Sequence, residues 1–286
     1  MKRLVSSLLL AGLVATSSFA ADVKTEKVSH NAVINAETKA QTDNSLVKEA
    51  VLALQYTNDA YIYLSKNDKE KALSSLKKAI GELTIVLNTP NAPYLLPVNV
   101  NVVAEEYVGT IDNISKQLTA AKVALSANKI PVAREILNSL KSEIDIQTIN
   151  IPLATYPAAI KLAVKYINEG KVKNAKDVIE MALNTLVNVN TVIPIPILKA
   201  QELIKAASKA KKEQALKYLE EAKRQLKIAQ LLGYTSKSDT TYEMLKKEIE
   251  KIEDKIKNNK NTKSIFEDLK QKIEEFKEKA VSIFHK

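Results

Sequence analysis

The chain holds two histidines, His30 and His285, and no cysteine. This scarcity removes most catalytic and metal-site chemistry at the outset. A thiolate nucleophile, a disulfide and a Cys-ligated metal are excluded. A structural zinc site needs four ligands, drawn mostly from Cys and His, and neither histidine has a second histidine at helical spacing. A Ser-His-Asp triad would have to recruit a histidine from one end of the chain, and both are expected to be solvated. The only Gly-Lys pair, Gly170-Lys171, lacks the glycines and the Ser/Thr of a phosphate loop. Paired carboxylates are all that a glycosidase requires. Glu105-Glu106 and Glu220-Glu221 are adjacent pairs, but neighbours on a helix point about 100° apart and do not converge on one substrate atom. The expectation is a non-enzymatic protein. No catalytic, cofactor-binding or metal-binding residue is assigned, no cofactor is expected, and ligand-binding residues stay unassigned.

Ten tyrosines remain as material for a binding surface. Tyr56, Tyr61 and Tyr63 cluster together, and Tyr94 and Tyr156 flank Pro-containing segments. Tyr61 falls on an apolar stripe, which favours packing with its hydroxyl at the edge.

The elements that carry these residues are helical. Ala, Leu, Lys and Glu dominate and there are only 5 glycines among 286 residues, a composition that loses little freedom in a helix. Val47, Ala50, Leu54, Thr57, Tyr61 and Leu64 mark one helical face. A polar turn follows, with Asp68 as N-cap. A second face runs through Ala72, Leu73, Leu76, Ala79, Ile80, Leu83 and Leu87. An extended stretch with Pro90, Pro93 and Pro97 ends the unit, because proline lacks the amide hydrogen that a helix interior uses. The pattern recurs. Tyr107, Ile111, Ile114, Leu118, Ala121 and Leu125 are answered by Ala133, Ile136, Leu137, Leu140 and Ile144, then by the Pro152 and Pro157 segment. Ala159 to Ile167 is answered across Gly170 by Ala175 to Leu186, then by "NVNTVIPIPI" at 188–197. A fourth hairpin is expected over 197–233, its turn near Ser208 to Lys212. Turn spacings of about 61, 42 and 40 residues make this a degenerate repeat. The β-branched links suit short strands that pair with one another. The fold class is therefore all-α, built of repeated helical hairpins joined by Pro-containing extended segments.

The two ends differ from the middle. Lys2 and Arg3, the apolar Leu4 to Val14 and "SFA" at 18–20 read as a secretory signal peptide, cleaved after Ala20 or Ala21. The apolar run is shorter than the roughly 20 residues of a spanning helix. Export to a bacterial periplasm is the expectation. Residues 22–45 are polar and weakly periodic, a mobile leader or a peripheral helix. At the other end, Tyr242, Leu245, Ile249, Ile252 and Ile256 form a heptad seam. Ser264 with Glu267 reads as a capping box. Phe266, Leu269, Ile273, Phe276, Ala280 and Ile283 complete an antiparallel helical hairpin.

The net charge of +10 is not spread evenly. Residues 22–197 hold 19 basic and 18 acidic side chains, whereas 198–234 hold 9 and 4. The basic 199–227 region reads first as a solvated helical face and only second as a contact with an anionic membrane surface. Only one aromatic residue, Tyr218, lies among its lysines, without the interleaved series that base stacking would need, so nucleic acid is not expected.

Two segments carry a family resemblance. "INIPLATYPAAIKLA" at 149–163 and "GKVKNAKDVIEMALNTLVNVNTVIPIPILKAQELI" at 170–204 closely resemble the YfdX family of exported bacterial proteins. "KKAIGEL" and "PYLLPVNVNVV" are similar to its earlier segments. The resemblance covers roughly 45–232. It implies a predominantly helical, periplasmic protein that forms homo-oligomers, associated with acid and other envelope stress and with chaperone-like behaviour. It implies no catalytic residue. The expected organisation is a signal peptide at 1–21, a polar leader at 22–45, a YfdX-like helical domain at 46–234 and a Lys/Glu-rich coiled-coil-like hairpin at 235–286. The expected function is a chaperone-like or protein-binding factor whose partners are client polypeptides. The alternative is a small-molecule carrier with a pocket between hairpins.

Overall fold

The computed structural model describes residues 23–285, so the expected signal peptide lies outside the described residues. The chain runs α1 (Val23–Asp43), α2 (Lys48–Ser65), α3 (Lys69–Leu87), β1 (Leu95–Glu105), α4 (Ile111–Ser126), α5 (Ile130–Ser139) and β2 (Glu143–Pro152). It continues α6 (Tyr156–Asn168), α7 (Val172–Asn184), β3 (Val187–Pro194), α8 (Ile195–Ala207), α9 (Lys212–Leu231), α10 (Tyr242–Lys257), α11 (Lys263–Ala280) and β4 (Ser282–His285). The repeating unit read from sequence is present three times: two helices, then a strand.

The hairpin turns share one local solution. Asn67, Asn128 and Gly170 adopt φ of 58°, 56° and 75°. In each case the next amide reaches back five residues: Asp68 N–H to Tyr63 O, Lys129 N–H to Ala124 O and Lys171 N–H to Tyr166 O. This is the left-handed C-terminal cap that glycine and asparagine favour. Asn259, at φ 54°, closes α10 in the same way. Asp68 then caps the next helix by accepting from Lys71 N–H at 3.1 Å.

Two of the three hairpins pack on each other. α2, α3, α6 and α7 share one core built from Leu64, Leu76, Leu83, Ile160 and Ile179, with alanines such as Ala53, Ala60, Ala72 and Ala163 at the closest approaches. Tyr156 is fully buried in it. The fourth hairpin, α8 and α9, packs instead with the C-terminal hairpin. Leu203, Ile204, Leu219 and Leu226 meet Leu245, Ile249, Phe266 and Ile273 in a second core. The heptad seams of α10 and α11 thus bury against α8 and α9 and do not project from the molecule.

The three Pro-containing links become three strands. Joined at the β3 edge by β4 from the C-terminal end, they form an antiparallel sheet in the order β1-β2-β3-β4, with Val102 opposite Ile146 and Ile146 opposite Thr191. β1 and β2 have 11 and 10 residues, longer than the short strands expected. One sheet face is covered by α1 and α8 through Ala32, Val33, Ile144, Ile146, Ile195 and Leu198.

Of the two readings left open for residues 22–45, the helix holds as α1, because Thr25, Ser29, Ala32, Val33 and Ala40 give it a narrow buried stripe. Three local expectations need correction. α8 begins at Ile195, not Ile197, because Pro196 fits the first helical turn, where its missing amide hydrogen costs nothing. The expected capping box fails: α11 begins at Lys263, with Asn261 Oδ1 accepting from Lys263 N–H, so Ser264 is already helical. The seam of α11 stops at Ala280, and Ile283 lies in β4.

Candidate functional site

The structure separates most of the residues that sequence singled out. His30 is exposed on α1, and the backbone of His285 pairs with Val189 at the sheet edge. Among the described residues no group of three His, Asp or Glu side chains is arranged to hold a metal ion. No described helix is long and apolar enough to cross a membrane. Tyr56, Tyr61 and Tyr63 pack partly against the α2–α3–α6–α7 core, with Lys78, Lys176 and Lys71 over their rings. The Tyr156 hydroxyl, buried in the same core, is pushed up to about 12 by desolvation and makes no hydrogen bond.

The two carboxylate pairs are each split. Glu105 faces Lys141 at 3.9 Å, whereas Glu106 pairs with Lys199. Glu220 binds Lys223 at 2.7 Å, whereas Glu221 holds Arg224 through both Nε and an Nη and also accepts from Gln225. One member of each pair, Glu106 and Glu221, then lines a cavity of about 200 Å³ between α1, α8 and α9. Tyr107, Lys199, Arg224 and Gln225 complete its polar wall. Both carboxylates there are engaged by a cation, an arrangement that suits structural ion pairing better than proton transfer. Sequence reasoning missed the Glu106–Lys199 pair. Its one local signal was Lys199 inside the otherwise apolar run from Ile195 to Ala200, where a buried charge needs a partner.

The same kind of pairing occupies part of the basic region. Lys205, Lys217, Lys223 and Arg224 each bind a carboxylate on their own helix, and Lys223 also reaches Glu253 of α10 at 2.9 Å. Lys199 is buried, and Lys212 binds Lys257 O and Asn259 Oδ1. Five basic side chains of the 199–227 stretch, Lys199, Lys205, Lys217, Lys223 and Arg224, are therefore ion-paired within the chain, and Lys205, Lys217 and Arg224 stay about half exposed while paired.

A second cleft, of about 240 Å³, lies where α4 and α5 meet α9 and the start of β2, lined by Leu118, Leu137, Leu140, Lys141, Glu143 and Tyr234. The Tyr234 hydroxyl donates to Glu143 Oε2 at 3.1 Å and accepts from Ser142 N–H at 3.0 Å. Lys141 is 3.3 Å from Glu143 and 3.8 Å from Asp145. Burial, together with the Glu143 and Glu105 carboxylates, raises the Asp145 carboxyl above the usual aspartate range, and Lys141 opposes this only in part.

The largest departure from ordinary burial is the α4–α5 hairpin itself. Ile114 and Leu140 anchor it to Ile228 of α9. Ala121, Ala124 and Ala133 are also buried, and Ile111, Leu118 and Ile136 half-buried, but Val123 is 64 % exposed, and Leu125, Ile130, Val132 and Leu137 are also exposed. These residues surround the Asn128 turn and have no second hairpin against them. Sequence periodicity assigned Leu125 and Leu137 to a buried face.

Residues 53–192 match the family model described as YfdX protein. The match covers the three helix–helix–strand units and stops before α8, short of the 45–232 range over which the resemblance was read. Among solved structures, the chain is similar to a Salmonella Typhi YfdX structure, at 15% identity over 52% of this chain and 93% of that one, with a TM-score of 0.39. No curated protein matches the chain.

Proposed function

Residues 53–192 are a YfdX domain, and from that premise we propose that the protein is a non-enzymatic, chaperone-like factor that binds client polypeptides in the periplasm under envelope stress. The observation that carries the proposal is the uncovered apolar surface of α4 and α5 around Asn128. Large apolar side chains left exposed around one helical turn mark a candidate contact surface for another macromolecule. α4 and α5 are held by few buried residues, so they can shift against α9 to admit segments of different size. A small-molecule carrier is the weaker reading. Cavities of about 200 and 240 Å³ fall below the roughly 300 Å³ at which ligand pockets begin.

Aggregation of dithiothreitol-reduced insulin tests the proposal, because a chain without cysteine is indifferent to the reductant. The protein is expected to suppress light scattering near stoichiometric ratio. No effect at that ratio sinks the reading. The proposed location is tested separately by fractionating cells and sequencing the mature N-terminus, expected at Ala21 or Asp22.

A further inference from the structure

The polar groups lining the cavity between α1, α8 and α9 have more bonding capacity than their own ion pairs use. Lys199, on α8, is 7 % exposed, and among the described residues its ammonium bonds only to Glu106 Oε1. An ammonium carries three N–H donors, so this buried charge is left with two of them unused. The second oxygen of Glu106 accepts from no described residue. Arg224 spends Nε–H and one Nη N–H on Glu221, which leaves three of the five donors of a guanidinium. Ser29 and Ser142 are buried on the same wall, and their hydroxyls make no hydrogen bond among the described residues.

These groups form one electrostatic cluster. The hydrogen bond to Glu221 raises the Arg224 guanidinium above its ordinary range, burial opposes this, and the charge of Glu106 adds to the rise. Gln225, 6 % exposed, fixes Glu221 by donating to its Oε1 at 2.8 Å. A buried ammonium whose remaining donors meet no acceptor carries an uncompensated desolvation cost, so the cavity is built for a polar occupant. Glu26 and Val108 also line it and are exposed, which gives that occupant a way in. The walls on α1, α8 and α9 lie outside residues 53–192, so the family domain alone does not supply this site.

The unused groups define the occupant. Donors on Lys199 and Arg224, cations from two different helices, suit a carboxylate. The unused oxygen of Glu106 suits an ammonium. Glu106 and Glu221 already balance Lys199 and Arg224, and the exposed Glu26 is screened by solvent. A ligand of zero net charge keeps that balance, and a bare anion or cation upsets it. The volume of about 200 Å³ is too small for a drug-sized ligand. At roughly 30 Å³ for each water-sized group, it takes about six or seven non-hydrogen atoms. We propose that the cavity binds a small free α-amino acid, its carboxylate between Lys199 and Arg224 and its ammonium on Glu106. L-Alanine and L-serine are of this size. The site does not depend on client binding by α4 and α5.

Isothermal titration of the full chain with L-alanine and L-serine tests this, and both are expected to bind saturably at one site. Acetate offers only the carboxylate, methylamine only the ammonium, and L-phenylalanine exceeds the volume. Each is expected to bind at least about ten-fold more weakly, because each forfeits a charged contact or the fit. Glu106→Gln combined with Lys199→Gln removes both charges of the buried pair and leaves neither unpaired. Binding of L-alanine is expected to fall at least about ten-fold in this variant, with circular dichroism unchanged. Arg224→Lys keeps the charge of a half-exposed side chain but loses its planar fork. It is expected to weaken binding several-fold, and it decides alone should the double variant fail to fold. No heat with either amino acid, equal affinity for any of the three control compounds, or unchanged binding in a folded variant overturns the proposal.

Discussion

Two regions of this molecule use the same local grammar to opposite ends. The α2–α3 and α6–α7 hairpins and the α4–α5 hairpin are each two helices closed by a left-handed Asn or Gly and followed by a strand. The first two bury their apolar faces in each other. The third is anchored to α9 by Ile114, Leu140 and Ile228, with Ile111, Leu118, Leu231 and Leu232 beside them, and leaves Val123, Leu125, Ile130 and Val132 open. An amphipathic face specifies that a helix has an inside, but not what will occupy it. An odd number of hairpins beside a closed pair leaves one face without a partner, and that face is where a client is proposed to bind.

The largest expected difference between the regions is in stability. Leu76→Ala, in the shared core, should cost about 2–5 kcal/mol, as buried Leu truncations do. Denaturant unfolding measures it, and a loss below 1 kcal/mol, roughly the range of neutral exposed sites, would show the paired hairpins to be loosely packed. The turns come next. Gly170 sits at φ 75° and an added Cβ would meet nothing within 4 Å, so Gly170→Ala should cost about 1–2 kcal/mol through backbone strain alone. Asn128→Gly, at φ 56° on the exposed hairpin, should be close to neutral. Equal costs at the two turns would contradict the assignment of strain to the backbone.

Smaller still is the expected stability change for Val123→Ser with Val132→Ser, within about 0.5 kcal/mol because both side chains are exposed. Suppression of insulin aggregation should nevertheless fall several-fold in this variant. A large drop in melting temperature would mean the hairpin is buried in solution by another contact. The smallest effects are those of pH. Asp68, which caps the packed hairpin, is held below the usual aspartate range by its side-chain and backbone hydrogen bonds with Lys71. Its contribution is present above the ordinary aspartate value and is lost as pH falls through the depressed one. Asp145, on the strand that leaves α5, is raised by burial and by Glu143. The folded state then binds more protons, so stability falls as pH rises from the ordinary aspartate value through the raised one. Carboxyl NMR titration should place the Asp145 midpoint above that of Asp68, and the reverse order would refute both assignments.

Much of this fold is written locally and could be read. Asn67, Asn128 and Gly170 mark the turns because few other residues accept positive φ. Pro97, Pro152 and Pro194 mark the links because helix excludes them, and the β-branched residues between them pair as strands. What could not be read is non-local. Nothing near Glu106 announces Lys199, 93 residues away. The spacing in α4 and α5 is as amphipathic as in α2 and α3, so Leu125 and Leu137 gave no sign of exposure. α8 and α9 follow the repeat in sequence, yet they close their core on α10 and α11, which no periodicity reveals.

Hydrogen exchange with a bound client compares the two regions in one measurement. With reduced insulin chains held in complex, peptides from α4 and α5 between Ile111 and Ser139 should gain protection, while those of α2, α3, α6 and α7 stay unchanged. Protection confined to the paired hairpins, or none anywhere in the presence of suppressed aggregation, would contradict the account.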